Sequence, residues 1–422
     1  MQTKFRSEGF VRLLNAFVPL LAVLPLHAQF VTTKGPDFVA PNGQVLQLKG
    51  TNLGNWMVPE GYMWHLKGPQ SPREIEALTE ALLGPEKAEA FWREYRDRYV
   101  TEADIVYLAK CGFNSLRVPL HYKFFVDEKG EGFRLLDRVV AWSRKAGLYL
   151  VLDLHCAPGG QTGTNIDDSN GYPWLFESVS AQQQLLVVWR NLARHYRDEP
   201  SILGYDLLNE PIPHFPALAK YNAALEPLLR RVVAEVRAVD PHHIVFLTGA
   251  QWDTNFKVLG APFAENLAYT FHKYWMPPKQ EAIQDYLDFR DRHHVPIWIG
   301  ETGENQDEWI ASFRKLLEEQ HVGWAFWPYK KMDSTSCIVQ FPRPTGWEAI
   351  LAYSNLATGT GQAEKATAAR PSQSEIEATF ANLLKQVGLS SCKANPGYLQ
   401  ALGLTVPPVP GSAPADGSAT SR

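Results

Sequence analysis

The stretch Ile202-Leu-Gly-Tyr-Asp-Leu-Leu-Asn-Glu-Pro211 decides the fold, because it opens as a strand and then stops being one. Its apolar residues form a run without polar alternation, the pattern of a strand covered on both faces. Pro211 has no N–H to give a ladder, so the run ends beside Asn209 and Glu210. Runs of the same character recur at 45–48, 115–118, 148–154, 244–247, 267–271, 297–299 and 322–326. Between them the periodicity is helical: Leu218, Tyr221, Leu225, Leu229, Val232 and Val236 share one face, as do Leu185, Trp189, Leu192 and Tyr196. A last helix is predicted from a capping box of Ser374 and Glu377, an apolar stripe through Ile376, Phe380, Leu383, Leu384 and Val387, and a stop at Gly388. Eight buried strands, each followed by room for a helix, predict an α/β protein whose single domain is a closed (β/α)8 TIM barrel. An open doubly wound sheet is the alternative.

Outward from the strands, residues 1–28 read as a secretory signal: Lys4, Arg6 and Arg12 precede the apolar segment 13–26, and Ala28 supplies a small residue at the cut. The expected organisation is a signal at 1–28, the barrel at 29–404, and a disordered Pro, Ser and Ala-rich tail at 405–422. Loss of the signal removes three basic groups and one acid, moving the formal charge from -4 to -6. With no basic block, that charge argues against nucleic acid as a partner. A secreted or periplasmic monomer with no membrane association after signal cleavage is expected. Four cysteines (Cys111, Cys156, Cys337, Cys392) lack C-x-x-C spacing, which disfavours a zinc or redox site. An oxidising compartment makes Cys337–Cys392 a candidate disulfide.

In a parallel barrel the chemistry lies where the strands end. The runs end in Arg117, in His155, in Asn209 and Glu210, in His272 and Tyr274, in Glu301, and in Trp327. Two carboxylates on different strands are what is needed to flank a glycosidic bond. Glu210 is expected to be the general acid and base, and Glu301 the nucleophile. Arg117 and the Tyr274 hydroxyl would keep Glu301 ionised, and His272 would orient Glu210. Asn209 would donate to the sugar 2-hydroxyl, His155 would shape the sugar site, and Trp327 would supply its floor.

These eight residues resemble the eight characteristic positions of glycoside hydrolase family 5, a family of retaining (β/α)8 barrel glycosidases, over about 48–327. Within it, Asn52-Leu-Gly-Asn-Trp-Met-Val-Pro-Glu60, Tyr99-Val-Thr-Glu-Ala-Asp104, Gly112-Phe-Asn-Ser-Leu-Arg-Val-Pro119 and Asp153-Leu-His-Cys-Ala-Pro-Gly-Gly-Gln161 resemble the exo-β-1,3-glucanase and endo-β-1,6-glucanase branch. The resemblance implies a β-glucan or β-gluco-oligosaccharide substrate and glucan catabolism, with Asn52 among the supporting residues and Glu60 holding the terminal sugar. The loops 156–168 and 328–340 depart from that branch, which leaves linkage and endo or exo action open.

Trp56, Tyr172, Trp174, Trp252 and Trp275 are candidate stacking platforms for sugars. The mechanism calls for no cofactor and no metal. A transglycosylase or glucosyl-lipid hydrolase on the same scaffold, or a non-catalytic carbohydrate-binding barrel, are the other readings.

Overall fold

The computed structural model describes residues 30–357 and 369–411. The segment read as a signal and residues 412–422 of the tail lie outside the described residues. Eight parallel strands close on themselves: β1 (Lys49–Asn52), β2 (Ser115–His121), β3 (Tyr149–Cys156), β4 (Ile202–Asp206), β5 (Ile244–Thr248), β6 (Leu267–His272), β7 (Ile297–Gly303) and β8 (Gly323–Trp327), with β8 pairing to β1. This is the expected (β/α)8 barrel. Helices Glu102–Cys111, Glu131–Ala146, Val179–Tyr196, Asn222–Arg237, Gln284–His293 and Asp307–Glu319 follow six of the strands. Between β5 and β6 the described chain makes only the short turns Ala250–Asp253 and Phe256–Val258.

Three expectations are corrected. The first strand is not 45–48 but Lys49-Gly-Thr-Asn52: Val45 is 65% exposed, whereas Thr51 and Asn52 are buried, Asn52 on the inner face beside Arg117. The helix expected to be last, Gln373–Gln386, is capped by Ser372 and Glu375, one S-x-x-E pair earlier than Ser374 and Glu377, and a further short helix, Pro396–Ala401, follows it. All four cysteines are free and buried, so Cys337 and Cys392 form no disulfide. Their thiols instead lie against backbone carbonyls, Cys337 Sγ at 3.2 Å from Val339 O and Cys392 Sγ at 3.4 Å from Gly388 O. The chain also stays packed past 404. Thr405 N–H donates to Cys111 O at 2.9 Å, and Val409 is buried.

Strand β3 shows how the sequence builds the interior. Leu150, Leu152 and Leu154 point out to the helices, while Val151, Asp153 and His155 share the inner face, as period-two geometry requires. The lower barrel is apolar: Val151, Leu203, Ile244, Phe246, Ala268, Trp298 and Ala325 pack together, plugged from below by Val31 and Phe38 of the N-terminal hairpin. Above this layer the inward residues turn polar, and the site begins there.

Candidate active site

Arg117 stands at the centre, fully buried. Its guanidinium donates through Nε to Asp206 Oδ2 at 2.8 Å, through Nη1 to Glu301 Oε1 at 2.5 Å and Asn52 Oδ1 at 3.1 Å, and through Nη2 to Asn209 Oδ1 at 2.9 Å. Asp153 Oδ1 lies 3.0 Å from Nη2. Burial acts against this cation, but Asp153, Asp206 and Glu301 together hold its pKa above the ordinary range. Asn52 also donates to Gly300 O and Ala325 O, at 3.1 and 3.2 Å, so it braces Arg117 across β1, β7 and β8.

Glu301, on β7, takes the Tyr274 hydroxyl at 3.1 Å on its second oxygen. Glu210 follows β4 in a left-handed conformation (φ 45°), an arrangement costing on the order of 1–3 kcal/mol for a non-glycine residue. His272 Nδ1 lies 2.8 Å from Glu210 Oε1 and 3.8 Å from Glu301 Oε2. One oxygen of Glu210 and one of Glu301 fall within 4.8 Å of each other. Burial lifts the pKa of both carboxyls. The Glu301 charge pushes Glu210 further, while Arg117 pulls Glu301 back.

His155 Nδ1 sits 2.8 Å from Asp153 Oδ2, and its ring stacks on Trp327 at 5.6 Å between centroids. Burial drives His155 down to about 4, so it is neutral at working pH. Trp327 Nε1 donates to Tyr62 Oη at 2.7 Å, and its ring lies over Gly54, where a Cβ would approach to 2.5 Å. Glu60, 5% exposed, is raised well above the usual carboxylate range by burial and by Glu301 and Glu304, and its Oε1 has no hydrogen-bond partner among the described residues. Lys331 Nζ pairs with Glu304 at 2.6 Å and lies 4.4 Å above the Tyr62 ring.

The structure thus brings together Arg117, His155, Asn209, Glu210, His272, Tyr274, Glu301 and Trp327, with Asn52 and Glu60 beside them. It does not bring in Trp56. That ring is 1% exposed, with Nε1 donating to Arg96 O at 2.8 Å, so it is core and offers no platform. Trp174 and Trp275 are exposed, at 47% and 72%, and Trp252 and Tyr172 are half-buried.

Asp153, Asp206, Asp253, Tyr62, Glu304 and Lys331 were not foreseen as site residues. Asp153 had a signal, since it stands two residues before His155 and so on the same strand face. Tyr62 comes from the single helical turn Gly61–Trp64, Glu304 from the loop after β7 and Lys331 from the short strand Lys330–Met332, segments too short for periodicity to mark them. Two donor sets, Asp153 with His155 and Glu301, and Glu210 with His272 and Glu301, are close enough to hold a cation. Both share Glu301, whose Oε1 already carries the Arg117 guanidinium.

Comparison with known proteins bears on the family and the fold. A beta-xylosidase of Phanerodontia chrysosporium is 29% identical over 344 residues, 71% of this chain and 71% of that protein. Endoglucanase C of Acetivibrio thermocellus is 25% identical over 313 residues, 58% of this chain and 88% of that one. The crystal structure of rutinosidase from Aspergillus niger superimposes with a TM-score of 0.56 at 20% identity, covering 69% of this chain and 92% of that one, and so shares the fold. The family model of the cellulases, glycosyl hydrolase family 5, matches residues 80–333, more than half of the sequence, and the chain belongs to that family and is a glycoside hydrolase.

Proposed function

We propose that the protein is an exported retaining β-glycosidase that hydrolyses β-glucan or β-gluco-oligosaccharides by double displacement. The observation that carries this reading is the approach of Glu210 and Glu301 to within 4.8 Å. Retaining glycosidases hold their carboxyls about 5–5.5 Å apart, whereas inverting ones leave about 6.5–9.5 Å for a water. The names of the endoglucanase and beta-xylosidase relatives support a β-linked polysaccharide or oligosaccharide as the substrate class.

In this mechanism Glu301, kept ionised by Arg117 and Tyr274, attacks the anomeric carbon while Glu210 protonates the leaving oxygen. The glycosyl ester on Glu301 is then cleaved by a water that gives its proton to Glu210. Asn209 has its Oδ1 committed to Arg117, which fixes the amide so that Nδ2 serves as the donor to the sugar 2-hydroxyl. Trp327 forms the floor of that sugar, and Glu60 Oε1, without a hydrogen-bond partner among the described residues, accepts from its hydroxyls.

The test is incubation with β-1,3-, β-1,6- and mixed-linkage glucans and cello-oligosaccharides, with Glu301→Gln as the blank. The expected result is loss of about 10⁴-fold in kcat, some 5 kcal/mol of barrier, in a variant that melts like the parent. A 2-fluoro-glucoside should label Glu301, seen by peptide mass. Turnover by Glu301→Gln at the parent's rate would end the assignment.

A further inference from the structure

Asp253 is 1% exposed and has no part in the reaction as described above. It ends three consecutive non-glycine residues in the left-handed region, Gln251, Trp252 and Asp253, at φ 52°, 56° and 61°. Backbone of this kind persists only where its surroundings over-determine it, and it gathers at working sites. Among the contacts that hold it here, two set the position of Asp253. Gly249 N–H donates to Asp253 Oδ1 at 2.5 Å, and Trp252 N–H donates to Ile212 O at 3.1 Å, tying the loop after β5 to the loop that carries Glu210. The outcome is that Asp253 Oδ2 faces His272 Nε2 at 3.6 Å, while His272 Nδ1 faces Glu210 Oε1 at 2.8 Å.

His272 is neutral, because burial and the Arg117 charge drive its pKa well below the usual value. A neutral imidazole has one N–H, and the nitrogen that holds it decides the direction of every hydrogen bond to the ring. Nε2 has no hydrogen-bond partner among the described residues, and Asp253 is the acid it faces. Gly300 lines its flank, where a Cβ would stand 3.0 Å from Nε2.

We propose that Asp253 is a positioning residue that holds the His272 proton on Nε2, leaving Nδ1 as an acceptor for the proton that Glu210 must keep until the glycosidic oxygen takes it. This deepens the reading of Glu210 as the acid and rests on it. The proton count closes. In the first half-reaction Glu210 gives its proton to the leaving oxygen as the C–O bond breaks and the Glu301 ester forms. In the second, water returns a proton to Glu210 as its oxygen displaces Glu301, and His272 stays neutral throughout.

The other groups facing this chain are accounted for. On the Nδ1 side lies Glu301 Oε2 at 3.8 Å, the Arg117 charge acts on the ring through space, and His155 is neutral. Burial and the charges of Asp206 and Glu210 raise Asp253 well above the usual carboxylate range, and the Gly249 N–H and the Thr248 hydroxyl oppose that rise by favouring the ionised form that accepts from Nε2.

The first measurement needs no variant: ¹⁵N-histidine NMR of the whole protein should show His272 protonated on Nε2, and protonation on Nδ1 would overturn the proposal. The second uses Asp253→Asn, whose amide can donate to Nε2 and so move the ring proton to Nδ1, where it stabilises ionised Glu210. The alkaline limb of kcat/KM should then fall by about one pH unit. Hydrolysis of a phenyl β-glucoside should drop about tenfold or more, while the dinitrophenyl glucoside, whose leaving group needs no proton, stays within about threefold. Equal losses on both substrates with an unmoved limb would reject the role of Asp253. Glu210→Ala, run alongside, separates the two readings: if it too lacks the leaving-group contrast, the assignment of Glu210 fails, and if it alone shows the contrast, only Asp253 is dismissed.

Discussion

Lys330 and Arg117 are both fully buried, and the groups around them differ in number and kind. Lys330 Nζ has three N–H donors and three acceptors: Asp104 Oδ1 at 2.8 Å, Tyr99 O at 2.7 Å and Val387 O at 2.8 Å. Asp104 is satisfied in turn by the Tyr329 hydroxyl at 2.7 Å and the Thr101 N–H at 2.8 Å. One positive charge meets one negative charge. Arg117 instead faces three carboxylates, Asp153, Asp206 and Glu301, and Asp206 Oδ1 is left without a partner among the described residues. The balanced pair clamps the segment after β8 to three helices, Pro85–Tyr99 at its last residue, Glu102–Cys111 through Asp104, and Gln373–Gln386 through the Val387 that follows it. The unbalanced cluster carries surplus negative charge, which moves proton affinities: burial lifts Asp153 and Asp206 to about 7 despite Arg117.

If that contrast is right, removing each cation has a different signature. Arg117→Met should lose about 10³-fold or more in kcat/KM, as expected when a preorganised charge beside the reacting group is deleted. It should also lose stability at pH 8 by about 3–5 kcal/mol through uncompensated buried charge. Much of that loss should vanish at pH 5, where Asp153 and Asp206 take up protons. Urea titrations at the two pH values measure this, and a pH-independent loss would break the comparison.

Lys330→Met should show the reverse. It leaves Asp104 buried and unpaired, a loss of about 3–5 kcal/mol, with kcat of the folded fraction unchanged. Adding Asp104→Asn should recover part of the loss, because the stranded charge is gone. A fall in kcat would mean that Lys330 reaches the chemistry, and the division between clamp and cluster would not hold.

The same division explains how far the sequence could be read. Barrel and strand-end residues were legible because burial on both faces writes long apolar runs, and a polar residue ending such a run stands out, as Glu210 and Glu301 do. The first strand was misplaced by four residues because Lys49, Thr51 and Asn52 are polar, although the barrel buries Thr51 and Asn52 as braces for its neighbours. Trp56 was misread because an aromatic ring has the same spelling in a core and on a cleft wall. Tyr99 and Asp104, part of the family resemblance, turn out to belong to the Lys330 clamp. Asp253 gave no signal, since its position depends on three left-handed residues that no propensity favours.

The smallest effect expected is a pH dependence that belongs to the unbalanced cluster. His155 has a folded pKa of about 4, below its ordinary 6.5, so the stability it contributes is present above pH 6.5 and is lost as pH falls through 4. Asp153 and Asp206 work oppositely. Their folded values of about 7 exceed the ordinary 3.8, so their stabilisation is complete below 3.8 and fades as pH rises through 7. Between pH 4 and 6.5 the two aspartates outweigh the one histidine, so on their account the parent's unfolding free energy should rise by about 1.4 kcal/mol per pH unit as pH falls. His155→Asn removes only the first. Its stability relative to the parent should therefore climb as pH falls from 7 to 4, by up to about 3 kcal/mol, the 2.5-unit displacement converted at 1.36 kcal/mol per unit. A difference between the two proteins that stays constant across that range would show that His155 titrates as if unburied, and that the charge surplus around Arg117 is relieved by another route.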